Sequence, residues 1–389
     1  MRAARILVVD DEPGIVRAVD RVLGATHQVS GTSSSRAALS YAEQMNPDLA
    51  ILDIRMPDLD GFELMTQLKA RFPDLDVILM TGSIEDLDEK LVRALRSPAF
   101  YFIQKPFDRD VLCTLVERCL ELRWRREDHQ RHLNRLEMEM AEARAFQQSL
   151  LPEREAILNG LSICCRYLPS VQLGGDLYDY VDAGSGRTAL LIADVSGHGV
   201  SAAMLTGVVK SAFRASIADG YEPYAVVRRV WGGLSAFRPD RFVTLFTALV
   251  SRGERRLAYV NAGHPSVLLW NVAGKLKWLE SGGPLVSPAL PASTWDVQTV
   301  PIEDGDQLLL YTDGVSEVFA ETSDGAQTRI ELLVERHGRH GAQLLDEILG
   351  AVRDGLAGAQ QPDDLTLLTA RVLEDGSSRS AGEHVIVSV

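Results

Sequence analysis

RILVVDDEPG, residues 5–14, sets an apolar run ahead of two carboxylates and a proline. Such a run, cut off by polar residues, reads as a buried strand. The proline suits the first turn of a helix, where its missing N–H costs little. A helical stretch at 13–23 follows, and the alternation then repeats. Apolar runs stand at 48–52 (DLAIL), 76–80 (DVILM) and 100–103 (FYFI), with a weaker one around 27–30. Amphipathic stretches near 34–45, 60–71 and 85–95 lie between them. Buried strands alternating with helices imply an α/β doubly wound parallel sheet covered on both faces. Ligands of such a sheet bind at the carboxyl ends of its strands.

The reactive side chains fall at those ends. Asp10 and Asp11 follow the first strand, Asp53 the third, Thr81 the fourth and Lys105 the fifth. Three carboxylates around a small hard cation could hold Mg²⁺, which keeps waters and accepts phosphate oxygens. The cation would offset anionic repulsion as a carboxylate attacks a phosphoryl donor. Lys105 and Thr81 would offer a charge and a hydroxyl to the phosphoryl oxygens, and a cis bond before Pro106 could aim the lysine.

VVDDE at 8–12, LDIRMPDLDG at 52–61, MTG at 80–82 and KPF at 105–107 together resemble the receiver domain of two-component response regulators, over about residues 4–122. The resemblance implies a flavodoxin-like fold with Asp53 as phospho-acceptor, Asp11 as a direct Mg²⁺ ligand and Asp10 as an outer one. It also implies that the Arg55 carbonyl completes the metal shell and that Phe102 is an aromatic switch whose rotamer follows Thr81. A sensor histidine kinase or phosphotransfer protein would be the partner. SPAFYF at 97–102 departs from the family, which usually has a Gly-Ala turn and an acidic residue there. That departure touches no catalytic position.

Between 107 and 150 there is almost no Gly or Pro and charged residues dominate. A heptad frame places Leu112, Cys119, Arg126, Leu133, Met140 and Gln147 at one core position. Leu115, Leu122, His129, Leu136, Ala143 and Leu150 take the other, and both seams weaken near Arg126 and His129. Sustained apolar spacing favours a parallel coiled-coil homodimer in which this helix extends the last receiver helix. A single solvated helix packed on its own domain is the alternative. The expected division is a receiver at 1–122, a helical coiled-coil linker at 123–150, a second domain at 151–373 and a tail at 374–389.

Pro152 ends the helix, and short strands follow at 162–168, 187–194, 242–250, 256–261, 266–270, 295–300, 306–312 and 365–372. Helical stretches near 200–217, 222–237, 328–337 and 341–356 are grouped among them, which suggests an α+β layered sandwich. Asp194 in LLIADVSGHG, Asp313 in LLLYTDGVSE and Asp363 in QPDDLTLL each read as a carboxylate that ends an apolar run and opens a turn. Asp176 in GGDLYDY joins them. Four carboxylates without a Cys/His set point to Mg²⁺ or Mn²⁺ rather than zinc. Two such ions about 4 Å apart could share a water, lower its pKa and orient it for in-line attack on phosphorus. Ser196 and His198 flank this region, but no ordering of acids around them makes a triad.

QQSLLP at 147–152, GGDLYDY at 174–180, ADVSGHGVSAAM at 193–204, NAGHP at 261–265, TDGVSE at 312–317 and DDLT at 363–366 resemble the SpoIIE/RsbU type of the PPM superfamily of metal-dependent Ser/Thr phosphatases, over about residues 145–373. The resemblance implies that Asp194 bridges two metals, that the Val195 carbonyl helps hold one, and that Asp313 and Asp363 complete the first site while Asp176 serves the second. His198 stands where a general acid could, or is a turn residue. His264 is read as organising its loop, and Asp179 and Asp364 as acids behind the ligands. No arginine is evident for docking phosphate, unlike in the eukaryotic-type relatives.

Composition narrows the rest. The 389 residues carry a formal net charge of -14, which argues against non-specific nucleic-acid binding, although an acidic surface also simply aids solubility. Cys113, Cys119, Cys164 and Cys165 form no CxxC, so a reducing cytosol and a cytoplasmic protein are expected. No apolar stretch approaches the roughly 18 residues of a membrane span, and ILVV is too short for a signal core. The combined expectation is a Ser/Thr protein phosphatase under receiver control, acting on a phosphorylated anti-sigma-factor antagonist. A non-enzymatic adaptor that binds a sigma factor or anti-sigma component is the alternative.

Overall fold

The computed structural model describes residues 2–82, 100–237, 241–292, 295–320, 325–338 and 340–374. The helix expected near 85–95, the start of SPAFYF at 97–99 and the tail from 375 lie outside the described residues. The chain divides into two compact units, Met1–Glu137 and Met138–Val389.

In the first unit, strands β1 (Arg5–Val9), β2 (Gln28–Thr32), β3 (Leu49–Asp53), β4 (Asp76–Thr81) and β5 (Phe100–Gln104) form one sheet in the order β2-β1-β3-β4-β5. Every neighbouring pair is parallel. Helices α1 (Pro13–Leu23), α2 (Ala38–Met45) and α3 (Gly61–Arg71) cover it. Two apolar layers result, because alternate side chains of each strand face opposite ways. Ile6, Val8, Ile51 and Ile78 share one layer, and Leu7, Val9, Leu52 and Leu79 the other. Asp60 caps α3: its carboxylate accepts from the Glu63 N–H at 2.8 Å, and Glu63 accepts from the Asp60 N–H in return. Gly61 is required there, since a Cβ would stand 2.2 Å from the Asp53 carbonyl oxygen.

Helix α4 (Arg109–Ser149) is one uninterrupted element. Its first turns belong to the receiver core, where Leu112, Val116, Cys119 and Leu120 are buried with Val19 and Leu23. Arg126 reaches Asp76 with two hydrogen bonds of 2.8 and 2.7 Å, and Asp76 is only 1% exposed. Three positions of the expected pairing seam, Leu112, Cys119 and Arg126, are therefore committed to the receiver itself. Leu133 and Leu136 remain exposed.

The second unit is a sandwich of two antiparallel sheets. One is ordered β14-β11-β10-β9-β8, from β14 (Gln298–Pro301), β11 (Arg256–Ala262), β10 (Val243–Ser251), β9 (Arg187–Val195) and β8 (Asp176–Gly184). The other is β13-β12-β15-β16-β7-β6, from β13 (Leu276–Leu279), β12 (Val267–Trp270), β15 (Gln307–Tyr311), β16 (Leu365–Val372), β7 (Leu161–Leu168) and β6 (Glu155–Leu158). Tyr178, Ile192, Phe246 and Tyr259 meet Ile163, Leu310 and Leu368 between the sheets. Helices α5 (Val200–Ala215) and α6 (Pro223–Leu234) pack outside the first sheet. Helices α7 (Asp313–Ala320), α8 (Ala326–His337) and α9 (Gly341–Leu356) pack outside the second. Strand β8 was not expected, nor were the short β6 and β13. Among the described residues no helix is long and apolar enough to cross a membrane.

Candidate functional site

At the carboxyl ends of the parallel strands, Asp10, Asp11 and Asp53 offer oxygens that all lie within 4.8 Å of one another. Asp10 and Asp53 are buried, and Asp11 is exposed. The Lys105 ammonium stands 2.6 Å from Asp10 Oδ2 and 2.7 Å from Asp53 Oδ1. Burial raises the pKa of both carboxylates, against the opposing pull of Lys105. Burial works to lower that of Lys105, but its hydrogen bonds to Asp10 and Asp53 outweigh it and the net shift is upward. Two buried acids against one half-buried base leave negative charge that a divalent cation would offset. Lys105 N donates to the Thr81 carbonyl at 2.7 Å, so Thr81 and Lys105 sit side by side at the ends of β4 and β5. The Lys105–Pro106 bond is cis. Arg55 lies two residues beyond β3, and Phe102 packs on the layer of Leu7 and Leu79.

The carboxylates of the second unit come from both sheets. Asp176 and Asp194 face each other directly across β8 and β9. Asp313 opens α7 immediately past β15, and Asp363 stands two residues ahead of β16. Two expectations need correcting here. Asp363 precedes its strand rather than ending one, and Asp313 begins a helix rather than a turn. Because β16 runs antiparallel to β15, its start lies beside the end of β15, and both acids still reach one edge.

Hydroxyls and glycines shape that edge. Asp176 Oδ2 accepts from Thr312 Oγ1 at 2.7 Å and from Thr366 Oγ1 at 2.6 Å. Asp364 accepts from Gly175 N at 2.7 Å and Ser170 N at 2.7 Å, and so fixes the loop leading into Asp176. A Cβ on Gly175 would stand 2.6 Å from the Val195 carbonyl oxygen and 3.4 Å from Asp194 Oδ1. The Val195 carbonyl and the Asp194 carboxylate therefore line one space that only glycine leaves open. Gln147, buried in the last turn of α4, accepts from Gly174 N at 3.2 Å and donates to Gly174 O at 2.7 Å.

Among the described residues these acids are not matched by cations. Burial, then the charges of Asp313, Asp363, Asp364 and Glu317, push Asp194 up to about 7. Burial, Asp194 and Asp364 hold Asp176 well above the usual carboxylate range. Burial followed by Asp363 and Glu317 raises Asp313. Carboxylate oxygens facing one another without counter-charge fit Mg²⁺ or Mn²⁺. Among the described residues, the tight three-ligand cluster is that of the first unit, and the acids of the second unit stand wider apart. By contrast Asp179, fully buried, is neutralised by Lys210 at 2.9 Å and Arg214 at 2.6 Å. His264 is neutral, its pKa lowered to about 3 by burial, with Nδ1 2.9 Å from Thr244 Oγ1. His198 is exposed on the loop after Asp194.

A pH dependence follows. A folded-state pKa raised above the ordinary value, roughly 4, gives stability that is present at low pH and lost as pH rises through the folded pKa. Protons held this way also compete with a cation. Apparent Mn²⁺ affinity should climb from about pH 5.5 to 7, by up to tenfold per unit for each proton displaced, and level off above. Titration calorimetry at stepped pH checks this, and an affinity flat across that window would contradict it.

Sequence reading missed Thr312, Thr366, Glu317 and Gln147. Thr312 and Thr366 lie inside motifs already singled out, so their neighbours were the available signal. Gln147 was placed as a seam residue and as the first residue of QQSLLP, without a role in the site.

Comparison with known proteins agrees with the geometry. The response regulator receiver domain family matches residues 6–117. The family described as stage II sporulation protein E (SpoIIE) matches residues 184–373. Protein IcfG of Synechocystis sp. is 29% identical over 269 residues, 61% of this chain and 41% of IcfG. Phosphoserine phosphatase RsbP of Bacillus subtilis is 32% identical over 187 residues, 47% of this chain and 46% of RsbP. The chain thus spans less than half the length of these two relatives. The SiaA-PP2C domain of Pseudomonas aeruginosa shares the fold, with a TM-score of 0.54 at 20% identity over 62% of this chain and 98% of that one. From strand-end carboxylates to overall topology, the chain joins a response regulator receiver domain to a SpoIIE-family domain, and the latter shares its fold with a PP2C domain.

Proposed function

We propose that the chain is a metal-dependent serine/threonine protein phosphatase whose activity is set by phosphorylation of Asp53. The observation that carries this reading is the direct opposition of Asp176 and Asp194, with Asp313 and Asp363 close enough to add to the raised pKa of Asp194. Asp194, the Val195 carbonyl, Asp313 and Asp363 would hold one Mn²⁺ or Mg²⁺, and Asp176 would serve a second. Such ions supply a low-pKa water and offset charge on the phosphoryl group. Thr312 and Thr366 keep Asp176 aimed at the edge, and Asp364 holds the loop that presents it.

In the receiver, Asp10, Asp11 and Asp53 would hold Mg²⁺, with the Arg55 carbonyl. Asp53 takes the phosphoryl group from a histidine kinase or phosphotransfer protein. Lys105, already on both buried carboxylates, is placed to meet a phosphoryl oxygen on Asp53. Helix α4 leaves the receiver core and its last turn carries Gln147, whose paired hydrogen bonds hold Gly174 two residues before Asp176. A change at Asp53 can reach the phosphatase edge by this helix. Exposed Leu133 and Leu136 support pairing of two copies along it.

Similarity to the phosphoserine phosphatase RsbP supports a phosphoserine protein as substrate, which we take to be a phosphorylated anti-sigma-factor antagonist of a partner-switching system. The test is phosphate release from a phosphoserine protein of that kind, with Mn²⁺ supplied and then chelated. No turnover on any such protein, together with tight binding of a sigma or anti-sigma component, would replace the enzyme with an adaptor.

A further inference from the structure

The loop after Asp194 is stitched to the start of β10. Ser196 N donates to the Phe242 carbonyl at 2.9 Å, and Phe242 N donates to Ser196 Oγ at 3.0 Å. These bonds extend the pairing of β9 with β10, in which Asp194 stands opposite Thr244 and Val195 opposite Val243. They bring Arg241 onto the loop. Its Nη1 donates to the Ser196 carbonyl at 3.1 Å, and a Cβ on Gly197 would stand 2.6 Å from the same nitrogen. The Nη1 end of the guanidinium therefore closes on the glycine, three residues from Asp194 in the chain. One of its five donors is used in this bond.

Charge makes the position informative. Asp176, Asp194 and Asp313 are raised by burial and by the charges of one another, of Asp363 and Asp364 and of Glu317, and two divalent cations would offset only four of those six charges. A phosphoserine brings a further charge of about -1.5 to -2. A fixed cation is needed where that group arrives. Arginine, always charged and forked to meet phosphate oxygens, suits the task better than lysine.

We propose that Arg241 docks the substrate, its guanidinium, held on the Ser196–Gly197 loop, taking an oxygen of the phosphoryl group. This rests on the phosphatase reading but has its own test. Arg241 escaped sequence reading because it is 45 residues from Ser196 and joins the loop only through the β9–β10 pairing.

The full chain, loaded with Mn²⁺, is compared as parent, Arg241→Gln and Arg241→Lys. Inorganic phosphate binding is followed by calorimetry, and KM and kcat are measured on a phosphoserine protein. Arg241→Gln should weaken phosphate binding and raise KM by roughly tenfold or more, the usual value of a hydrogen bond to a charged group. Its Mn²⁺ affinity should stay within about twofold of the parent, and Arg241→Lys should recover part of the loss. Equal phosphate binding in parent and Arg241→Gln overturns the inference. So does a parallel loss of Mn²⁺ affinity, which would make Arg241 a brace for the loop, and so does a parent that binds no phosphate. A parent that binds phosphate through Arg241 yet turns over no phosphoprotein would instead sink the phosphatase reading and leave the docking role standing.

Discussion

Asp194→Ala should reduce Mn²⁺-dependent phosphate release by on the order of 10³, the several kcal/mol that metal stabilisation of a phosphoryl transition state supplies. Asp194 is the acid that the others converge on. It faces Asp176 across the sheet and is raised by Asp313, Asp363, Asp364 and Glu317. Removing it takes one carboxylate from each neighbour's surroundings, so the metal-free variant should melt at or above the parent's temperature. The gain in melting temperature on adding Mn²⁺ should shrink, because fewer ligands favour the folded state. Asp313→Ala should act in the same direction. Metal-dependent hydrolysis retained by both variants would overturn the ligand assignment, and a collapse in metal-free stability would show the acid to be structural.

The second large effect concerns control. Asp53→Ala should accept no phosphoryl label from acetyl phosphate, and its phosphatase rate should then be the same with and without that donor. Gln147→Ala should separate the two halves of the device. It keeps Asp10, Asp53 and Lys105, so labelling persists, but it deletes both hydrogen bonds to Gly174. Each buried partner left without its bond costs about 1–3 kcal/mol, enough to free the loop before Asp176 from the helix. A rate that still responds to the donor in Asp53→Ala would dismiss the receiver as the switch. A full response in Gln147→Ala would dismiss this route out of it.

How much of this was legible in sequence depended on how local each signal was. The receiver's strands announce themselves as continuous apolar runs, because both faces of a covered parallel sheet are dry, and its acids follow within one or two residues. The second domain was less open. Strand β8 (DLYDYVDAG) does not read as apolar, since Asp179 sits in its middle. That acid is tolerable only because Lys210 and Arg214 arrive 31 and 35 residues later to neutralise it. Asp363 looked like the end of a run because its motif was read forward, whereas antiparallel pairing brings the start of β16 to the functional edge. Gln147 and Arg241 owe their places to contacts across 27 and 45 residues, which no periodicity encodes. The heptad frame carries the opposite ambiguity. Leu112 and Cys119 carry the right spacing for a partner helix, but the same spacing serves a helix packing on its own sheet.

The pairing of Arg126 with Asp76 decides where this receiver can be severed. The family match stops at residue 117, yet Asp76 is 1% exposed and takes its counter-charge from nine residues further on. A fragment ending at 117 would shed Cys119 and Leu120 from the core and strip the half-exposed Arg126 from a buried carboxylate; hydrogen bonds to a charged group are worth about 1.5–3 kcal/mol. A fragment ending at 137 keeps all three. Denaturant melts of the two pieces should therefore differ by most of a small domain's stability. Anyone grafting this receiver onto another output should carry the helix with it.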